Sequence, residues 1–231
     1  TMSTMHVLSL LTMQGVFASR MAHVAAFRAP TSALMRHSSR VHARMMCDAP
    51  EAPPPFASLD VRVGKIVEVW DHPDSDKLFC EKIDVGEAEP REIASGLRAH
   101  YALDDLKDRS VLVVCNLKPA KLAGFASSGM VFCASSEDKS KVEFIDPPPD
   151  ARPGDRVLTE SEAAAAAAAE EGDAADLAPA SPNQMKKKKI LEKMSPALKT
   201  NADRVATYGG EPLVVAGAPC TASSVAGGSI S

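Results

Sequence analysis

The sequence predicts an all-β fold built around a small barrel, and three observations carry that prediction. Between Ala57 and Thr159, short runs rich in Val, Ile and Phe recur at close intervals, separated by Pro, Gly, Asp and Ser. That spacing is typical of a barrel or sandwich. Only "LDDLKDR" at Leu103–Arg109 reads as helix there, and it is too short to stand alone. The run "SVLVVCNL" at Ser110–Leu117 is apolar on both parities, so it requires cover on both faces.

Each element follows from its own residues. "DVRVGKIVEVW" alternates and is rich in Val and Ile, with Gly64 where a strongly bent strand or a bulge would want it. "HPDSDK" is a turn, because Pro73 sets φ while Asp74, Ser75 and Asp76 can bond their own backbone. "LFCEKIDVG" is a second strand whose apolar parity slips between Cys80 and Ile83, predicting a bulge in it. "REIASGL" is a third. "LDDLKDR" then makes one or two helical turns capped by an acid. "SVLVVCNL" and "GMVFCAS" complete the set. Three strands, a short helix and two strands within about a hundred residues is the order of the five-stranded OB barrel.

The flanks differ in kind. Residues 1–47 carry five arginines (Arg20, Arg28, Arg36, Arg40, Arg44) and no acid, and are rich in Ser, Ala, Met and His. This is the composition of a targeting presequence. The apolar "MHVLSLLTMQGVFA", small residues before Phe27 and an Arg/Ser-rich continuation resemble the bipartite address of complex plastids. A plastid is therefore placed ahead of a mitochondrion, with a cytoplasmic protein as the alternative. "APPPF" at Ala52–Phe56 lies in a stiff linker, residues 51–57. No run reaches the roughly 18 apolar residues of a membrane helix. Five cysteines show neither CxxC nor metal spacing, so Cys115 and Cys133 read as small reduced core residues and no metal is expected.

Beyond the barrel, residues 160–182 are Ala-rich and acidic, six acids without a base from 159 to 182. Their Pro-containing surroundings and missing hydrophobic pattern predict a flexible linker. Order returns over 183–231, where "RVATYGGEPLVV" reads as a hairpin turning at Gly-Gly.

"LDVRVGKIVEVWDHPDSDKLFCEKIDVGE", "IASGL" and "NLKPAKLAGFASSGM" closely resemble the tRNA-binding OB domain of endothelial monocyte-activating polypeptide II and the aminoacyl-tRNA synthetase cofactors. The likeness runs over Leu59–Leu158, so 58–159 is taken as that domain, and 183–231 resembles the family's C-terminal extension. The resemblance implies tRNA binding without catalysis or cofactor, and a synthetase as partner. It also implies a β-rich extension packed on the barrel in place of a dimer partner, hence a monomer. Family members carry a shorter, less repetitive segment where this chain has its alanine run. The motif's tRNA-associated residues map to Asn116, Lys118, Lys121, Ser127 and Met130.

Physical chemistry supports that mapping. Leaving a rigid strand, "NLKPAK" puts one amide and two ammonium groups on a barrel rim, and Pro119 limits the ordering entropy lost when RNA docks. Ser127 can donate to a phosphate or a 2′-hydroxyl, and the small residues around it permit close backbone approach. Lys186–Lys189 form a compact positive run that reads as auxiliary phosphate contacts, with a nuclear-type signal or a solvated helix start as the plainer alternatives. Met130 is equally well placed as core, Phe125 is not needed by the family, and His72 is a turn residue before it is anything chemical. Residues 58–158 hold 14 bases against 19 acids, so binding a polyanion requires the bases to cluster. A synthetase-docking scaffold with weak RNA binding is the competing function. No nucleotide-binding motif or glycine-rich phosphate loop points to an enzyme.

Overall fold

The computed structural model describes residues 53–168 and 177–231, all within a compact unit spanning Ala49–Ser231. The presequence expected at 1–50 lies outside the described residues, as does 169–176 of the expected linker.

Strand β1 (Val61–Asp71) turns Val61 and Val63 to one face and Ile66 to the other. Gly64 lies against the interior, where a Cβ would come within 2.6 Å of Ile83 Cγ2, so only glycine lets β2 (Phe79–Asp84) approach this closely. The bulge falls further along β1, between Ile66 and Glu68. Strand β2 itself is regular, pairing with β3 (Arg91–Ser95) from Phe79 opposite Ser95 to Ile83 opposite Arg91 without a shift. The predicted slip in β2 is thereby corrected. Phe79, Glu81 and Ile83 share one face, and the position that looks out of phase is a carboxylic acid buried inside the barrel.

Helix α1 (Leu103–Leu106) is a single turn, steadied by Asp105, whose carboxylate accepts from the Ala102 N–H at 3.2 Å. Strand β4 (Ser110–Val114) shows why its sequence is apolar on both parities. Val111, Val113 and Cys115 line the barrel core with Ile66, Ile93, Leu106 and Phe144. Leu112 and Val114 face outward into a second core shared with the C-terminal extension.

The next stretch departs from expectation. "AKLAGFAS" is a β-hairpin, β5 (Ala120–Leu122) and β6 (Phe125–Ser127), not a loop of small residues. Ala123 and Gly124 turn it with φ of 47° and 92°, the left-handed pair that suits a two-residue hairpin turn. Strands β7 (Met130–Val131) and β8 (Cys133–Ser135) follow almost without a break. Strand β9 (Val142–Asp146) is additional to the five expected and packs Phe144 into the barrel.

The barrel sheet runs β3–β2–β1–β4–β7, antiparallel throughout. Its open seam is narrowed where the Ser128 N–H donates to the Glu92 carbonyl at 2.8 Å.

After β10 (Leu158–Thr159) comes α2 (Glu160–Ala168), where a flexible linker was expected. A capping box starts it: Thr159 Oγ1 accepts from the Glu162 N–H at 3.3 Å, and the Glu162 carboxylate accepts from Thr159 N–H at 3.2 Å. The same carboxylate accepts from Ala57 N–H at 2.8 Å. Helices α3 (Pro182–Lys188) and α4 (Ile190–Met194) precede β11 (Leu198–Thr200), β12 (Ala206–Tyr208) and β13 (Glu211–Val215). Gly209 and Gly210 turn the β12–β13 hairpin as predicted. Strands β14 (Ala218–Pro219), β15 (Thr221–Ala222) and β16 (Ser229–Ile230) complete the chain.

The extension is woven into the barrel. Strand β16 pairs with β8, and β15 pairs with β9, so the β8–β9 hairpin is flanked on both sides. Met194, Leu198, Leu213 and Ile230 from the extension share one core with Phe56, Val61, Leu112 and Phe132.

Candidate nucleic-acid interface

The NLKPAK segment leaves β4 as a ridge held at its base. Arg91 donates through one guanidinium nitrogen to the carbonyls of Cys115, at 2.6 Å, and Ser128, at 2.9 Å. These two residues open and close the whole excursion, and Glu87 holds the guanidinium at 2.7 Å. Sequence reasoning passes over Arg91, because nothing local marks an arginine at a strand start as a clasp for residues 24 and 37 positions away.

Within the ridge the candidate residues divide. Lys118 and Lys121 are exposed, with no carboxylate in ion-pair range among the described residues. Asn116 is buried, and its Nδ2 donates to the carbonyls of Ser58 and Ala180, both at 2.9 Å. Ser127 is also buried: its hydroxyl donates to the Gly129 carbonyl at 3.0 Å and accepts from the Ala94 N–H at 3.1 Å. The proton expected to reach a phosphate or ribose is therefore held inside the protein, and Ser127 fastens the hairpin to β3. Met130 is half-buried against the shared core. Gly129 is closely packed, since a Cβ would lie 3.0 Å from both Ile93 Cδ1 and the Val114 carbonyl.

Facing this ridge stands α3. Ser181 caps it, accepting from the Gln184 N–H at 3.4 Å while the Gln184 side chain accepts from Ser181 N–H at 2.9 Å. Met185 is buried in the shared core, so the helix is anchored by its middle. Lys186, Lys187 and Lys188 occupy its last turn, where ammonium groups suit the negative end of the helix dipole. Lys189 takes the left-handed conformation, φ 51°, and turns the chain into α4. All four lysines are exposed.

Ridge and helices enclose a groove of about 370 Å³, walled by Leu117, Lys118, Pro119 and Ala120 on one side and Met185, Lys186, Lys189, Leu191 and Glu192 on the other, with the exposed Glu192 carboxylate 3.6 Å from Lys189 Nζ. Three of the candidate lysines, far apart in sequence, thus share one apolar-floored groove. Lys121, on β5, lies outside its lining, as do Lys187 and Lys188. Beyond the ridge lies a wider groove of about 900 Å³ over the outer barrel face, holding Glu68, Glu87, Glu89 and Glu92 against Lys82 and Arg91. The barrel's excess of acid is in part concentrated there, whereas residues 183–231 carry seven bases against three acids.

Phe125 meets Trp70 and His72 edge-on, with ring centroids 6.0 and 6.1 Å away. His72 Nδ1 accepts from the Asp74 N–H at 3.0 Å, as a turn residue does. Burial pushes the Cys115 thiol up to about 11 and those of Cys133 and Cys220 to about 12, so these cysteines are inert at neutral pH. Among the described residues no cluster of three His, Cys, Asp or Glu could hold a metal. Nor is any described helix long and apolar enough to cross a membrane.

A barrel of OB type with a lysine-walled groove at one rim defines a nucleic-acid-binding class of module. Residues 61–156 match the model of tRNA_bind, a tRNA binding domain family. The crystal structure of the C-terminal domain of Plasmodium vivax p43 superposes with a TM-score of 0.66 at 32% identity, covering 77% of this chain and 99% of that one. Aminoacyl tRNA synthase complex-interacting multifunctional protein 1 of Cricetulus griseus is 42% identical over 193 residues, 81% of this chain and 49% of the relative. The cytoplasmic tyrosine–tRNA ligase of Danio rerio is 42% identical over 175 residues, 75% of this chain and 30% of the ligase. This chain therefore spans about half or less of the length of these curated relatives. It belongs to the family of tRNA-binding domains found in the multifunctional protein and attached to synthetases.

Proposed function

We propose that this chain is a non-catalytic accessory protein that binds tRNA and presents it to an aminoacyl-tRNA synthetase. The observation that carries the reading is the groove that brings Lys118 together with Lys186 and Lys189. Ammonium groups on facing walls track a phosphate backbone and supply the sequence-independent part of nucleic-acid affinity. Lys121 and the remaining α3 lysines extend the positive rim. Asn116, Ser127 and Met130 belong to this site as its frame. Holding tRNA beside a partner enzyme raises its local concentration and needs no active site.

Binding of the full chain to bulk tRNA and to duplex DNA across a salt series tests this, with Lys118→Ala/Lys121→Ala alongside. Preference for tRNA, a steep loss with salt and a weaker variant are the expected results. The acidic groove supports a second reading, a scaffold that docks on a synthetase with little affinity for RNA. Synthetase capture by a chain that binds no tRNA at low salt would favour it. We also propose that residues 1–50 direct import into an organelle, a plastid first and a mitochondrion second. A fluorescent fusion of that segment that stays diffuse in the cytosol would overturn this.

A further inference from the structure

We propose that Asn116 is a positioning residue for RNA binding: it ties the two walls of the lysine groove together and does not itself touch RNA. The inference rests on the tRNA-binding reading above and deepens it. Asn116 is 6% exposed, and each hydrogen of its amide has a backbone acceptor, one on Ser58 and one on Ala180. No donor remains for a phosphate. Its Oδ1 is buried without a hydrogen-bond partner among the described residues, and Asn116 does not line the groove.

What the amide reaches is the decisive point. In sequence, Asn116 immediately precedes Leu117 and Lys118, the ridge wall. Ala180 immediately precedes Ser181, the cap of α3 and so the start of the facing wall. One side chain therefore fixes the origin of both walls. The Ala180 N–H donates to the Ser58 carbonyl at 2.9 Å, closing a three-way junction between the chain entering β1, the ridge and the extension. Helix α3 has seven residues, about 10 Å of length, so its entry point and buried Met185 set where Lys186 and Lys189 stand. Loss of the amide removes one of the two hydrogen bonds that hold Ala180 and so loosens one of those anchors.

The Asn116→Ala variant should weaken tRNA binding roughly fivefold, within the range of coupled neighbours. It should also flatten the salt dependence as Lys186→Ala/Lys189→Ala does, because the same phosphates are no longer neutralised. In a double-mutant cycle, adding Asn116→Ala to Lys186→Ala/Lys189→Ala should change affinity by less than about twofold, whereas its effect should multiply with that of Lys121→Ala. Equal effects in both backgrounds would overturn the inference. A measurement on the unmodified chain does not depend on the variant folding. The Asn116 side-chain amide proton resonances should stay unshifted and slow to exchange when tRNA is added. A shift as large as that of the Lys118 backbone amide would place RNA on Asn116 and overturn the proposal. Failure of the unmodified chain to bind tRNA would overturn the parent reading, and this one with it.

Discussion

Glu81 sits inside the barrel, fully buried, accepting a hydrogen bond from Ser95 Oγ and leaving Oε2 without a partner. Burial lifts its carboxyl from 4.5 to about 7, against the smaller opposing pull of that hydrogen bond. Between those two values the folded chain holds a proton that the unfolded chain has lost, so stability falls as pH rises, by up to about 1.4 kcal/mol per unit, and levels off above pH 7. Glu81→Gln should abolish most of that slope in urea melts between pH 4.5 and 7, and an unchanged slope would assign it to another group. At this scale the sequence is least legible. "FCEKID" reads as a parity slip because an interior carboxyl is rarer than a bulge. Lys118 and Lys121 are recognisable as exposed bases from the motif alone. That Ser127 and Asn116 bond inward depends on Ala94, Ser58 and Ala180, which no local pattern ties to them.

Elements were easier to read where local chemistry decided them. Gly209–Gly210 marked its hairpin, and the double apolar parity of β4 correctly implied cover on both sides. The ridge hairpin was hidden because Ala123, next to Gly124, is an unusual residue for a left-handed turn position. Strand β9 was hidden because its short run is bounded by polar residues and is completed by pairing with distant β15. Helix α2 did carry a signal, the T-x-x-E box at Thr159–Glu162, which the alanine run and acidic surroundings outweighed. Glu162→Ala removes an acceptor from both Thr159 and Ala57, and should lower stability by about 1–2 kcal/mol and reduce helical circular dichroism. An unaltered thermal midpoint would mean the cap contributes nothing. In the extension, Ile230→Ala should cost about 2–5 kcal/mol, because this fully buried side chain secures β16 against β8.

For the whole molecule, the organising feature is a core shared between barrel and extension, with Val114 and Leu112 on one side and Leu198, Leu213 and Ile230 on the other. Strands β15 and β16 flank the β8–β9 hairpin, so those edges offer no ladder to a second copy. Sedimentation should therefore return a monomer, and a stable dimer at micromolar concentration would contradict that. The same docking creates the lysine groove, which neither half holds alone. It also reconciles a barrel of net negative charge with a polyanionic ligand, since the acids of the outer face lie across the ridge from it. The most direct test is the affinity of the full chain for tRNA against salt, beside Lys118→Ala/Lys186→Ala/Lys189→Ala. Binding at low salt, a steep linear fall of log affinity with log salt, and a weaker variant are the expected results. The variant's slope should also be shallower, by roughly 0.7–0.9 for each phosphate that is no longer neutralised. A variant with the affinity and slope of the unmodified chain would show that RNA, if bound at all, lies elsewhere.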